Sequence, residues 1–167
     1  MILDETYTLA NGVTIPKLGL GTWFIDDDKA ARVVTDAIAV GYRSIDSAQA
    51  YANESGVGEG VRASGVPREV LFVASKLAAE IKDYEAAVAV IDGSLATSGL
   101  DYLDLMLIHS PQPWDDFRGG DYAEGNRAAW RAWRTRTGRG RSVRSASPAS
   151  NGLIWRTSSS PAPSSRR

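Results

Sequence analysis

Residues 41–54 read GYRSIDSAQAYANE, and the fold reads outward from them. Gly41 closes a helix in the usual C-terminal manner. Before it, residues 30–40 carry apolar side chains at helical spacing, Ala31, Val34, Ala37 and Ile38. Asp26, Asp27 and Asp28 precede them, where acids suit the positive end of a helix dipole. Ser44-Ile45-Asp46 then reads as a short strand ending on a carboxylate, and Tyr51 falls in the loop that follows. Asn53 caps the next helix, 53–63, which closes near Gly65-Val66-Pro67.

The same unit recurs on both sides. Downstream, VLFVAS at 70–75 is β-rich and apolar, too short for a helix and suited to a strand buried on both faces. Residues 83–97 form an amphipathic helix with Ala86, Val90 and Leu95 on its apolar side and Ser98-Gly99 at its end. LDLMLI at 103–108 is another buried strand, a proline-bearing loop runs through Trp114, and 122–133 is helical again. Upstream, KLGLGTW at 17–23 reads as a first buried strand ending in a turn. Before it, 8–10 and 13–15 flank Asn11-Gly12, which supplies the two positive-φ positions of a type I′ hairpin turn. A hairpin followed by four strand–helix units predicts an α/β fold with a parallel sheet and helices outside it. Alternation alone fits both a (β/α)₈ barrel and a doubly wound sheet.

The polar residues of interest stand at strand ends: Asp46 with Tyr51 just beyond it, Lys76, and His109. In a parallel barrel those C-terminal strand ends share one rim, where active sites form. Taken singly, each has an ordinary structural reading as surface charge or packing. GVGEG at 56–60 superficially suggests a dinucleotide loop. It follows a helix start rather than a strand and lacks the G-x-G-x-x-G spacing, so loop glycine or small-residue helix packing at Gly56, Gly58 and Gly60 is the better reading.

Together these motifs become specific. GLGTW (19–23), GYRSIDSAQAYANE (41–54), SK (75–76) and DLMLIHSP (104–111) resemble the successive signatures of the aldo-keto reductase family. Within it they are most similar to bacterial reductases of the diketogluconate-reductase type. The resemblance runs from residue 5 to about 133. It implies a TIM-type (β/α)₈ barrel, here its plugging hairpin and about four βα units, and reduction of aldehydes or ketones with NADPH. Tyr51 would be the general acid toward the carbonyl oxygen. A phenol is a weak acid with a pKa of about 10, and an ammonium beside it favours the phenolate. Lys76 would supply that charge, Asp46 would hold Lys76, and His109 would orient the substrate oxygen by hydrogen bonding. Gly21, Thr22 and Asp46 would border the cofactor, and Trp23, His109 and Trp114 the substrate. The residues with which the family grips the rest of the nicotinamide cofactor come later in its chain than the resembling stretch.

Composition sets outer limits. The 167 residues are 43% hydrophobic and 23% charged, ordinary for one soluble globular domain. No run is long enough for a membrane span, and the first residues do not read as a secretory signal. There is no cysteine and one histidine. That excludes thiolate chemistry and multi-His metal sites and fits a reducing cytoplasm. The implied partner is a small carbonyl compound, not nucleic acid or membrane, and the resemblance implies a monomer for a full-length member. The charge is unevenly placed. Eight of the 19 basic residues lie in 134–167 without an acid, leaving 11 against 20 acids before them. We therefore divide the chain at 133. The basic Ser/Arg/Pro-rich segment 134–167 is expected to be disordered, because it cannot bury enough apolar surface to offset its ordering entropy. Read one base out of step from the 132–133 junction, it permits LEDAYRAGKVRSIGVSSF, which looks like the family's next helix end and fifth strand. The expectation is a frame shift near 128–133, with a non-catalytic half-domain as the alternative to a working enzyme.

Overall fold

The structure, a computed structural model, describes residues 1–9, 12–117 and 119–137. Of the segment 134–167 expected to be disordered, residues 138–167 lie outside the described residues. After a 3₁₀ turn at Ile2–Asp4, strands β1 (Thr6–Thr8) and β2 (Thr14–Pro16) form an antiparallel hairpin. Then follow β3 (Leu20–Gly21), α1 (Asp27–Ala39), β4 (Ser44–Asp46), α2 (Glu54–Ala63), β5 (Phe72–Leu77), α3 (Tyr84–Ser98), β6 (Leu105–Ile108) and α4 (Ala123–Thr137). Among the described residues, no helix is long and apolar enough to cross a membrane.

The four later strands form one parallel sheet in the order β3-β4-β5-β6. The order follows the chain without reversing. A doubly wound sheet reverses at its switch point, whereas a barrel adds strands in sequence. The choice that alternation left open therefore falls to a barrel segment.

Side-chain alternation along the strands sorts residues to two faces. From β5, Val73 and Leu77 join Ile38, Ile45, Ile91 and Met106 in the core between sheet and helices. Each such side chain contributes roughly 1.5–3 kcal/mol on burial. Phe72 and Ala74 face the other way and meet Leu105, Leu107, Val13 and Ile15. The hairpin thus covers the N-terminal end of the barrel's inner face. Lys76 follows Ala74 by two, and His109 follows Leu107 by two, so the same alternation carries both to the opposite end of that face.

Several local expectations shift. The hairpin turn is longer than a two-residue Asn-Gly turn: Gly12 N–H donates to Leu9 O and Leu9 N–H to Val13 O, with Gly12 at φ +80°. That bonding matches a longer loop with a left-handed glycine; Asn11 lies outside the described residues. The first sheet strand is two residues long and half exposed, not a buried run over 17–23, because it lies at the sheet edge with only β4 beside it. Residues 68–70 form a 3₁₀ turn, which moves β5 two residues downstream of 70–75. Helix α3 fully buries Ala87, Ile91, Ser94 and Ser98; of the expected Ala86, Val90 and Leu95, all partly buried, Val90 and Leu95 pack against the core. Helix α4 continues to Thr137, into the segment 134–167 expected to be disordered, and Arg136 pairs with Asp92 of α3.

Of the two readings left open for GVGEG, loop glycine and helix packing, the structure selects helix packing. A Cβ on Gly56 would overlap the Asp27 carbonyl oxygen, and one on Gly58 the Ser98 carbonyl oxygen. One on Gly60 would stand 2.6 Å from Ala31 O. Helix α2 is thereby wedged against α1 on one side and the end of α3 on the other. Gly58→Ala should destabilise the chain by about 1–3 kcal/mol through overpacking. Gly93→Ala, in α3 where nothing stands within 4 Å of the new Cβ, should stabilise by about 0.5–1 kcal/mol. Urea unfolding of the pair measures both signs, and equal effects would refute the packing assignment.

Candidate active site

At the C-terminal ends of β4, β5 and β6 the inward-facing polar residues converge. Lys76 is the hub. Its Nζ donates to Asp46 Oδ2 at 2.6 Å, to Ser47 O at 3.0 Å and to the Tyr51 hydroxyl at 3.4 Å. The Lys76 side chain is only 14% exposed, so the ammonium is held inside by this set. Because Tyr51 Oη accepts from Lys76, its own O–H proton is left to point elsewhere. The Tyr51 ring meets His109 edge-on at 5.6 Å, and His109 meets Trp114 edge-on at 4.8 Å. Trp23 lies nearly parallel to Tyr51 at 6.2 Å and stacks on Phe24 at 4.5 Å.

Local backbone sets these directions. Tyr51 ends a 3₁₀ turn, Gln49–Tyr51, and Ala52 after it adopts φ +54°, a left-handed conformation uncommon for a residue with a side chain. Phe24 is likewise at φ +63°. Such departures cluster at functional sites.

Burial pushes the His109 imidazole below its ordinary value, and the nearby Lys76 ammonium acts in the same direction. Asp46 and Glu80 pull the other way more weakly. Near pH 7 the ring is neutral, with one N–H to donate. Its Nδ1 is buried without a hydrogen-bond partner, so the ring keeps an unspent polar atom inside the site.

Each expected site residue can now be placed. Asp46, Tyr51, Lys76 and His109 form one contiguous group. Trp23 and Trp114 stand at its mouth, 64% and 49% exposed. Gly21 pairs with Asp46 across β3 and β4, and a Cβ there would meet nothing within 4 Å. Thr22 is fully buried, and its hydroxyl bonds to Asp46 O and Asn53 Oδ1. Its main chain is tied as well, with the N–H donating to Asp46 O and the carbonyl accepting from Ile25 N–H, so Thr22 holds the loop beside Asp46.

Sequence reasoning missed the support behind the group. Asn53 does stand at the N-cap position of α2, but its side chain makes no cap bond. Fully buried, it donates to Thr22 O (2.8 Å) and Ile25 O (2.9 Å) and accepts from Ser47 Oγ (2.9 Å). It thus ties the loops after β3 and β4 together. Gln49 accepts from Ala78 N–H and donates to Val90 O and Ser94 Oγ. Glu54 accepts from Ser75 Oγ at 2.6 Å and Ser94 Oγ at 3.1 Å. The Tyr51 turn is pinned on both flanks.

Known proteins share the sequence and fold of this chain over much of its length. A family model described as Aldo/keto reductase family matches residues 17–133. The chain is 48% identical over 110 residues to a glyoxal reductase of Bacillus subtilis, an alignment covering 65% of this chain and 40% of the relative. A crystal structure of an aldo/keto reductase from Brucella melitensis superposes with a TM-score of 0.73 at 38% identity, over 83% of this chain and 50% of that one. A Bombyx mori aldo-keto reductase in complex with NADP superposes with a TM-score of 0.69 at 34% identity, over 83% of this chain and 48% of that one. The chain spans between about two-fifths and one-half of the length of these proteins.

Proposed function

The chain belongs to the aldo/keto reductase family, and on that premise we propose that it carries the acid–base half of an NADPH-dependent site for reducing aldehydes and ketones. The observation that carries this reading is the Lys76 ammonium placed between Asp46 Oδ2 at 2.6 Å and the Tyr51 hydroxyl at 3.4 Å. The substrate oxygen accepts from the Tyr51 O–H and from the His109 N–H. As negative charge develops on that oxygen, the Tyr51 proton moves to it, and the Lys76 ammonium stabilises the phenolate left behind. Asp46 and Ser47 O keep the ammonium in place. The neutral His109 donor stabilises the oxygen without competing as an acid.

The cofactor fits the residues present. Open main chain at Gly21 lies beside Asp46, and Gly21, Thr22 and Asp46 would hold the nicotinamide end. When bound, NADPH supplies the hydride. The exposed aromatic rings of Trp23 and Trp114 exclude water from the carbonyl and favour substrates with an apolar body.

The second reading, a non-catalytic half-site, draws on the sheet: among the described residues, β3 and β6 each have one hydrogen-bonded neighbour. One experiment separates the two. NADPH is titrated into the chain by fluorescence, and its consumption is followed with a panel of aldehydes. Saturable binding is expected for the reductase, together with aldehyde-dependent consumption that Lys76→Met abolishes. Absence of saturable binding would leave the half-site reading standing.

A further inference from the structure

Lys82 belongs to no motif and no strand end. It sits in the loop after β5, and its side chain reaches the loop after β6. Nζ donates to Asn126 Oδ1 at 2.8 Å and to Ser110 O at 3.1 Å. Asn126, in the first turn of α4, turns its own Nδ2 to Pro111 O at 2.7 Å. Glu80 Oε1 accepts from Trp114 N–H at 3.2 Å. Three main-chain groups of the segment 110–114 thus end on the side chains of Glu80, Lys82 and Asn126. That segment starts directly after His109 and ends on Trp114, whose ring meets His109 at 4.8 Å.

Steric fit points the same way. A Cβ on Gly125 would stand 2.7 Å from Lys82 Cβ and 2.8 Å from Lys82 O. The first turn of α4 therefore rests on Lys82 itself, and the lack of a side chain at 125 brings Asn126 within reach. Energetically the arrangement is a poor stabiliser. Burial pushes the Lys82 ammonium down to about 8, against an opposing pull from Glu80, and the atoms it bonds are neutral carbonyl oxygens. A partly desolvated cation so held adds little net stability. What it supplies is a fixed path for the loop.

We infer that Lys82, through Asn126 and the carbonyls of Ser110 and Pro111, is a positioning residue for His109 and Trp114. It holds the imidazole in the slot between Tyr51 and Trp114. The inference rests on the reading of His109 as the group that orients the carbonyl, but its test does not need turnover. His109 is the only histidine in the chain, so the proton NMR signal of its ring reports that one residue.

Three variants decide it. Lys82→Met keeps the apolar stem and removes the donors. Asn126→Ala breaks the link to Pro111 without changing charge. Lys82→Arg retains donors for both carbonyls. In the wild-type chain the His109 midpoint is expected below the ordinary imidazole value of about 6.5, because the ring is partly buried beside Lys76. In Lys82→Met and Asn126→Ala the loop opens, water reaches the ring and the midpoint moves up toward that value, while Lys82→Arg keeps it low. Circular dichroism selects the variants that fold. Losing a positive charge raises the midpoint in Lys82→Met by itself, so Asn126→Ala is the decisive arm. A folded Asn126→Ala with the wild-type midpoint overturns the inference. If the wild type turns over no aldehyde, the reductase reading fails while the NMR result still decides the clamp.

Discussion

Replacing Tyr51 by phenylalanine is expected to lower kcat for aldehyde reduction by about 10²- to 10⁴-fold, the range typical of a positioned general acid, with KM changed far less. The substitution removes one oxygen and little else. The ring keeps its contacts with Trp23 and His109. Lys76 loses its longest bond but retains Asp46 at 2.6 Å and Ser47 O at 3.0 Å, so the hub stays in place. The pinning bonds of Gln49, Asn53 and Glu54 do not involve the hydroxyl. An interaction made mainly in the transition state lowers kcat and kcat/KM together. Steady-state kinetics on wild type and Tyr51→Phe test this, with NADPH binding measured separately. A fall of less than about tenfold would mean that another group delivers the proton. Lys76→Met should do comparable damage, and the double variant should be little worse than either single one, because groups acting as one unit are not additive.

The barrel needed the family resemblance, but the facing of its strands was legible because it follows a period of two. Ser44 and Asp46, Phe72, Ala74 and Lys76, and Leu105, Leu107 and His109 are alternating positions on one face, so strand patterns and the polar residues ending them suffice to bring Asp46, Lys76 and His109 to one rim. Tyr51 needed the family motif, since its direction depends on a 3₁₀ turn and a left-handed Ala52 that no composition announces. The support was hidden for a different reason. Asn53 is the residue type an N-cap calls for, and nothing local says that its amide is spent instead on Thr22, Ile25 and Ser47. The buried face of α3 was only partly legible, with Val90 and Leu95 against the core but Ala87 and Ile91 missed, because Ala and Val occur all round that helix and leave little polar contrast to orient it. Lys82 was invisible because its partners lie 28 and 44 residues away on another loop and helix.

A second large effect is expected at the opposite end of the sheet, where Asp104→Ala should destabilise the chain by about 3–5 kcal/mol. Asp104 is 5% exposed, and its Oδ2 bonds both Val73 N–H at 2.9 Å and Arg68 Nη2 at 2.8 Å. Paired β5–β6 positions begin at Ala74 and Leu105. The carboxylate therefore satisfies a strand N–H just before those positions and neutralises a guanidinium that also donates to Leu71 O and Tyr102 O and lies over the Tyr102 ring. Alanine would leave the Val73 donor buried and the Arg68 cation without its counter-charge, and both penalties fall on the folded state. The expected loss is a large share of the 5–15 kcal/mol that ordinarily separates folded from unfolded domains. Asp104→Asn keeps an acceptor for Val73 and should cost less than alanine. Arg68→Met removes the cation instead. In Arg68→Met/Asp104→Asn neither charge remains, and the variant should recover part of what the singles lose, because the cost lies in stranding one partner. Urea midpoints with a shared m-value measure all four. An Asp104→Ala loss below about 1 kcal/mol, the range of a surface ion pair, would show that water reaches the pair and that β5 does not depend on it.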